Sequence, residues 1–339
     1  MLYNLYMRIT KKFKIISLIL LLSLFIVTIP LTDIDAQINS IDISVQISPE
    51  IPGPYENVNL TLISYVVDVN KLQISWYLND QKKSSGIGKK DFSFTAGGVG
   101  STSTVRIEMF VAEGGLIKKT ITIQPASVDL LWETVNSYVP PFYKGKALPS
   151  SESKIKVVAV PNLKTSAGAK LKENDFTYNW ERNLKFSQNL SGYGKSTYTF
   201  QNNYLDQSEK IELIISSIKD NYTAKKIINI PMVSPEIVFY EKNPLRGINY
   251  EKALTSDFSM QGKESTIVAE PYFFSPANPI SEELRYEWSL NNESILPPLI
   301  KNNLVVRVAE AGGQAKLSLS IESLPRLFQS ADKSIFINF

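Results

Sequence analysis

The sequence predicts an all-β protein, made of three tandem β-sandwich domains behind an N-terminal export segment. Three observations lead to this prediction. Beyond residue 40, short segments carry apolar residues at alternate positions and are separated by Gly, Asn, Pro and Ser. Such a period of two is typical of strands that bury one face. A tryptophan-centred pattern recurs three times, and the first 36 residues differ in composition from the rest.

The N-terminal residues have the composition of a secretory signal peptide. Four basic residues precede a largely apolar run, residues 15–29, and Asp35-Ala36-Gln37 follows shortly after. This order predicts a signal peptide over residues 1–36, cleaved after Ala36, with either Met1 or Met7 as the true start. An uncleaved membrane anchor is the alternative, since the run approaches the 20 or so residues of a bilayer span if it is extended to residue 32. We therefore expect an exported protein that is periplasmic, membrane-anchored or on the cell surface, and that touches the membrane only through this segment.

The first element of the repeat is a strand pattern around a tryptophan. Each copy places apolar residues two and four positions before the tryptophan and an asparagine three positions after it. The three tryptophans are 104 and 108 residues apart. The copies read Leu72-Gln-Ile-Ser-Trp76-Tyr-Leu-Asn79, Phe176-Thr-Tyr-Asn-Trp180-Glu-Arg-Asn183 and Leu284-Arg-Tyr-Glu-Trp288-Ser-Leu-Asn291.

Two further strand patterns follow each tryptophan in the same order. The first alternates apolar and polar residues over 105–111, 211–215 and 317–321. The second begins with lysine and covers 119–123, 226–230 and 333–337. A repeat of about 100 residues matches the size of one two-sheet sandwich. The predicted domains are therefore residues 37–125, 126–233 and 234–339.

These repeats resemble the immunoglobulin-like sandwiches of bacterial surface and periplasmic proteins, in the group that includes PKD-type modules. The resemblance implies that Trp76, Trp180 and Trp288 lie on central strands and pack between the two sheets as core residues. Two features depart from related patterns: no cysteine pair brackets the tryptophan, and no Asp-rich turn follows it.

The composition excludes several kinds of chemistry. The chain contains neither cysteine nor histidine, so disulfides, thiolate or imidazole metal ligands and a Ser-His-Asp relay are all impossible. The composition still allows catalysis by carboxylates alone. Removal of residues 1–36 takes away four basic and two acidic side chains, which lowers the formal charge from +3 to +1. Because a nucleic-acid surface needs a basic excess, no nucleic-acid partner is expected, and no cofactor or metal is predicted.

The stretch Ser191-Gly-Tyr-Gly-Lys-Ser-Thr197 looks like the end of a phosphate-binding loop. However, Asn189 occupies the position of the first glycine, and a strand pattern follows where such a loop needs a helix. A counterpart, Gly86-Ile-Gly88-Lys89, stands at the same place in the first repeat. The glycines are therefore predicted to form turns with positive φ.

One segment outside the predicted cores has the composition of a recognition site. Two adjacent prolines fix the backbone and aromatic residues flank them, a combination that a partner can bind with little loss of entropy. Its candidate contact residues are Tyr138, Pro140, Pro141, Phe142 and Tyr143. The alternative is a structural one, a proline-protected edge or a crossing between the two sheets of the second domain.

These observations predict a non-catalytic interaction or spacer protein of the bacterial cell envelope or surface, and not an enzyme. Envelope or surface proteins are the expected partners. One alternative function is an accessory component of a pilus or secretion assembly. Another is a polysaccharide-binding or glycan-cleaving surface protein, which would need solvent-facing aromatic residues and paired acids in one groove.

Overall fold

A computed structural model describes residues 43–111, 115–162, 171–218, 222–308 and 312–339. The predicted signal peptide, residues 1–36, lies outside these ranges. The described residues form 24 strands and three short 3-10 helices, with no α-helix among them. In this part of the chain, no helix is long and apolar enough to span a bilayer.

Sandwich 1 contains the first seven strands. Its smaller sheet has the order β1-β2-β5 and its larger sheet the order β4-β3-β6-β7. A 3-10 helix, Val69–Lys71, leads from one sheet to the other. The strands are β1 Ile43–Ser48, β2 Asn57–Ser64, β3 Gln73–Leu78, β4 Gln81–Ile87, β5 Asp91–Thr95, β6 Ser103–Val111 and β7 Gly115–Ile123.

Sandwich 2 repeats this arrangement. Its sheets have the orders β13-β9-β8 and β11-β10-β14-β15, and the short strand β12 also pairs with β10. Two 3-10 helices, Glu173–Asp175 and Gln188–Leu190, flank its tryptophan strand. The strands are β8 Ser127–Thr134, β9 Lys154–Asn162, β10 Phe176–Arg182, β11 Lys185–Phe186, β12 Gly192–Tyr193, β13 Thr197–Gln201, β14 Ser208–Ser217 and β15 Thr223–Pro231.

Sandwich 3 has the same order with an added hairpin. Its sheets run β17-β16-β19-β22 and β18-β24-β23-β20-β21, where β17 extends the first sheet beyond β16 and β18 pairs with β24 in parallel. The strands are β16 Glu236–Asn243, β17 Gly247–Ala253, β18 Asp257–Ser259, β19 Glu264–Tyr272, β20 Leu284–Leu290, β21 Glu293–Ser294, β22 Asn303–Arg307, β23 Gln314–Ser323 and β24 Ser330–Asn338.

All three sandwiches therefore share one strand order. In each, three strands form one sheet in the order β1-β2-β5, β8-β9-β13 or β16-β19-β22, and the tryptophan strand joins the last two strands in the other. This is the antiparallel two-sheet arrangement of immunoglobulin-like and fibronectin type III domains. The predicted fold class, a tandem of immunoglobulin-like β-sandwiches, is confirmed.

Each sandwich has its own core, and a tryptophan lies at the centre of each. The exposed fractions of Trp76, Trp180 and Trp288 are 0%, 0% and 2%. Each indole stacks on a ring from the facing sheet, with centroid distances of 5.3, 5.3 and 5.8 Å to Phe92, Tyr198 and Phe239. In sandwich 3 the ring comes from the first strand, whereas in the other two it comes from the strand after the tryptophan hairpin.

The lysine and the asparagine that recur with each tryptophan both form hydrogen bonds. Each indole N–H donates to a lysine carbonyl, that of Lys89, Lys195 or Lys301, at 2.6, 2.9 and 2.9 Å. The Gly-Lys stretches are thus turns that present this carbonyl, and Gly88 and Gly194 have φ values of 68° and 66°. The recurring asparagines start two-residue hairpin turns in which both residues have positive φ. Their side-chain carbonyls accept the backbone N–H of Thr104, Lys210 and Lys316 on the neighbouring strand.

Candidate functional site

The proline-containing segment of sandwich 2 lies against sandwich 3. It follows the edge strand β8 and joins it to β9, its neighbour in the same sheet, so it does not cross between the two sheets. Tyr138 pairs with the next sandwich through its backbone: its N–H donates to Phe274 O, and Phe273 N–H donates to Tyr138 O, both at 2.8 Å. This segment is therefore part of the junction between sandwiches 2 and 3.

Tyr138 was expected to contact a partner, and the structure corrects this expectation. Only 8% of its surface is exposed, and its hydroxyl donates to the carboxylate of Glu270 on β19, which is 2% exposed. Tyr250 donates to the other carboxylate oxygen at 2.9 Å. The ring is buried between two sandwiches because its phenol supplies a hydrogen bond that a buried carboxylate needs. Tyr138 thus joins two sandwiches of the same chain.

Burial dominates the electrostatics of this cluster. It raises the pKa of Glu270 above the ordinary value of 4.5, and the hydrogen bonds from Tyr138 and Tyr250 act in the opposite direction. Burial and the nearby Glu270 also raise the pKa values of both tyrosines well above 10. The phenols therefore keep their protons over the physiological range and act as hydrogen-bond donors.

A second group of buried polar residues completes the junction. Gln329, fully buried, accepts the backbone N–H of Ser275 at 2.9 Å and donates to the carbonyl of Ser151 in sandwich 2. Ser150 Oγ donates to Phe273 O at 2.6 Å. At the surface, the rings of Tyr204 and Phe328 stack at 4.3 Å with 5° between their planes. Because buried hydrogen bonds are directional, these contacts fix how the two sandwiches are oriented.

A cleft of about 850 Å³ opens beside this junction, and we call it the aromatic cleft. One wall is the segment 140–144 of sandwich 2 and the other is the β16–β17 hairpin with the end of β19. The rings in its walls form two edge-to-face pairs. The ring centroids of Tyr143 and Tyr272 are 5.6 Å apart with an interplanar angle of 80°, and those of Tyr240 and Tyr250 are 5.3 Å apart with an angle of 64°. Charged side chains also contribute to its lining, namely Lys144, Glu241, Arg246 and Glu251.

Phe142 lies in the wall of the cleft and projects into solvent. It has a φ of 65° and is 90% exposed. A bulky residue in the left-handed region is uncommon and is held there by its surroundings. Here the preceding Pro140 is buried, and Tyr143 N–H donates to Pro140 O at 3.3 Å. The candidate contact residues are therefore divided, with Tyr138 inside the junction and Pro140, Pro141, Phe142 and Tyr143 along the cleft.

Sequence reasoning missed the residues that sandwich 3 contributes. Tyr240, Tyr250 and Tyr272 lie about 100 residues or more from the proline segment, and no repeat links them to it. Glu270 carries a signal that was overlooked: an acid within the otherwise apolar run 267–274, which alternation alone does not explain. A buried acid in such a run indicates a specific partner.

The cleft offers aromatic faces, phenol hydroxyls and a few charges at its rim. Such surfaces bind by stacking, apolar contact and hydrogen bonding. Within the described ranges, no group of three or more acidic side chains is placed to hold a metal ion.

No protein-family model and no curated protein matches the sequence. Solved structures that resemble it are arrays of similar domains. The three N-terminal domains of the bacteriophage RB49 Hoc capsid protein match at 10% identity over 88% of this chain and 98% of that one, with a TM-score of 0.26. The central fibronectin-III array of RIM-binding protein matches at 9% identity over 87% and 95%, with a TM-score of 0.30. The Clostridium thermocellum CbhA fibronectin(III)-like modules match at 12% identity over 56% and 94%, with a TM-score of 0.27.

Proposed function

We propose that the chain is a non-catalytic interaction protein, exported by a bacterium to its cell envelope or surface and related to PKD-like proteins. Sandwiches 2 and 3 form one recognition unit that presents the aromatic cleft, and sandwich 1 acts as a spacer. The observation that carries this proposal is Phe142, a 90% exposed aromatic residue in left-handed backbone at the wall of a cleft built from two sandwiches.

The composition of the cleft supports recognition of a partner. Aromatic side chains contribute large contact areas and lose few rotatable bonds on binding. The buried hydrogen bonds of the junction hold the two walls in place before binding, which reduces the entropy lost when a ligand is captured. The predicted signal peptide, residues 1–36, supports export.

A photo-crosslinking amino acid at position 142 tests this proposal in cells. We expect adducts with an envelope or surface protein, identified by mass spectrometry, because the side chain at this position faces solvent beside the cleft. The same probe at Ile87, 72% exposed on sandwich 1, is the matched control and should give no such adduct. Identical adducts at both positions, or none at 142, would contradict the proposal.

The proposed export is tested by N-terminal sequencing of the exported protein, which should give Gln37 as the first residue.

Glycan binding is a second candidate, because tyrosine rings that line an open cleft can also stack on sugars. A glycan array probed with the wild type and with Phe142→Ser separates the two candidates. Binding that the substitution abolishes would favour the glycan function, whereas an array without hits would dismiss it.

A further inference from the structure

We propose that the aromatic cleft of one copy of this chain binds a proline-containing loop of a second copy, so that the protein assembles head to tail. This inference rests on the proposed function of the cleft as a recognition site and names its partner. The loop, which we call the LPPL loop, consists of Leu296, Pro297, Pro298 and Leu299 between β21 and β22 of sandwich 3.

The LPPL loop presents apolar side chains that its own sandwich does not use. Leu296 is 91% exposed and Leu299 is fully exposed, while the adjacent Ile295 packs against the core. Two leucines that flank a pair of prolines thus form a small apolar surface in solvent. Exposed apolar surface of this kind marks sites of interaction.

The loop is held at both ends. Ile295 N–H donates to Trp288 O at 3.0 Å, and Asn303 N–H donates to Ile300 O at 2.8 Å. Lys301 Nζ reaches the carbonyls of Ser281 and Leu284 at 2.8 and 3.1 Å. The prolines themselves restrict φ to about −65°. A partner that binds this loop therefore loses little conformational entropy.

The chemistry of the cleft matches that of the loop. Proline-containing segments bind in grooves that are lined with aromatic rings. The aromatic cleft has this character, since Phe142 and four tyrosines, Tyr143, Tyr240, Tyr250 and Tyr272, belong to its lining. The cleft carries charges of both signs, Lys144 and Arg246 beside Glu241 and Glu251, so exposed Glu293 next to the loop has two basic side chains that it can approach.

The LPPL loop and the aromatic cleft lie at different places on sandwich 3. In sandwich 3 the cleft extends from strand β17 to the end of β19, whereas the loop leads into β22, at the edge of the same four-stranded sheet β17-β16-β19-β22 that lies opposite β17. With two strands between them, these edges are separated by about 15 Å of sheet. Leu296 and Leu299 are exposed and do not belong to the lining of the cleft in their own copy. A contact between two different surfaces repeats from copy to copy into an open chain or a ring.

Light scattering and sedimentation of the purified, exported protein test the proposal. The mass of the wild type should rise with concentration past that of a dimer. Phe142→Ser, which damages the cleft, and the double variant Leu296→Ser/Leu299→Ser, which damages the loop, should each remain monomeric. Their equal mixture should form dimers and nothing larger, because each variant keeps one working surface. Leu184→Ser, an exposed leucine on sandwich 2, is the control and should assemble like the wild type.

A peptide covering residues 293–301 provides a readout that does not depend on assembly. It should bind the loop variant with a Kd between about 1 μM and 1 mM, and at least tenfold more weakly when Phe142→Ser is also present. Circular dichroism checks that each variant is folded. A wild type that stays monomeric, together with a peptide that does not bind, would overturn self-association. If position 142 still forms adducts with another protein in cells, the proposed function stands and only this inference fails.

Discussion

The two junctions between the sandwiches are built differently, although the sandwiches themselves repeat one fold. Between sandwiches 2 and 3, buried polar groups are matched across the boundary, such as Tyr138 with Glu270 and Gln329 with Ser151. Between sandwiches 1 and 2 there is a shallow groove of about 290 Å³, lined by prolines of one and lysines of the other. There, Gly100 N–H donates to Pro125 O of the linker at 2.9 Å.

Repetition of a fold therefore does not imply repetition of its contacts. Matched buried hydrogen bonds penalise any other orientation, because each broken pair leaves desolvated groups without partners. Domains that lack an extensive interface move relative to one another by default. We therefore expect sandwiches 2 and 3 to behave as one body and sandwich 1 to turn against them.

The largest expected effect comes from the tryptophan cores. Trp288→Ala should lower the free energy of unfolding by about 3–5 kcal/mol, because it empties a buried site. Since the junction couples the sandwiches, hydrogen exchange in sandwich 2 should accelerate together with that in sandwich 3. Trp76→Ala should cost a similar amount, confined to sandwich 1. A loss below about 1 kcal/mol in denaturant melts of Trp288→Ala would be inconsistent with a core role, and acceleration in sandwich 3 alone would be inconsistent with coupling.

Loss of the Gln329 side chain should have the next largest effect. Gln329→Ala removes the partners of the Ser275 N–H and the Ser151 carbonyl at a buried site. Leaving such groups unsatisfied costs about 1–3 kcal/mol. The control is Gln124→Ala near the other junction, where the amide donates to Thr102 Oγ1 at the surface. It should change stability by no more than about 0.5 kcal/mol. Equal losses in denaturant melts of the two variants would remove the distinction between the junctions.

The pH dependence of stability tests the role of Glu270. Burial raises its pKa in the folded protein above 4.5, so between these two values the folded state binds more protons than the unfolded state. Stability from this group is complete below pH 4.5 and falls as the pH rises through the folded pKa. Glu270→Gln removes this contribution while it retains an acceptor oxygen, so its effect should be smaller than that of Gln329→Ala.

Denaturant melts over a pH series measure this contribution directly. The stability of the wild type relative to Glu270→Gln should decline as the pH rises above 4.5. Gln124→Ala removes no titratable group and should follow the wild-type pH profile. A difference between wild type and Glu270→Gln that stays constant with pH would show that the pKa of Glu270 is not shifted, and a difference that grows would show a shift in the opposite direction.

The smallest effect is expected from the stacked rings at the edge of the junction. Tyr204 and Phe328 are 46% and 52% exposed, so their contact excludes little water. A double-mutant cycle with Tyr204→Ala and Phe328→Ala should give a coupling free energy of about 0.5–1.5 kcal/mol. Coupling below the ~0.3 kcal/mol expected of independent sites would mean that buried hydrogen bonds alone define the junction.

The repeated sandwiches can be predicted from the amino-acid sequence alone. Alternation specifies which face of a strand is buried, and the recurring tryptophan, asparagine and lysine mark one hairpin and one indole hydrogen bond in each copy. These features depend on residues near in sequence or at equivalent repeat positions, so they can be recognised without a structure. The proline segment was also found in this way, from its local composition.

The place of that segment at the junction depends on tertiary packing. Tyr138 meets Glu270 across 132 positions of sequence, and the cleft combines Phe142 with tyrosines about 100 or more residues away. Neither alternation nor repetition encodes such pairs, because they form where two unlike ends of neighbouring sandwiches meet. Whether an aromatic residue binds a partner or a neighbouring domain depends on what covers it, and that is settled by packing rather than by its neighbours in the chain.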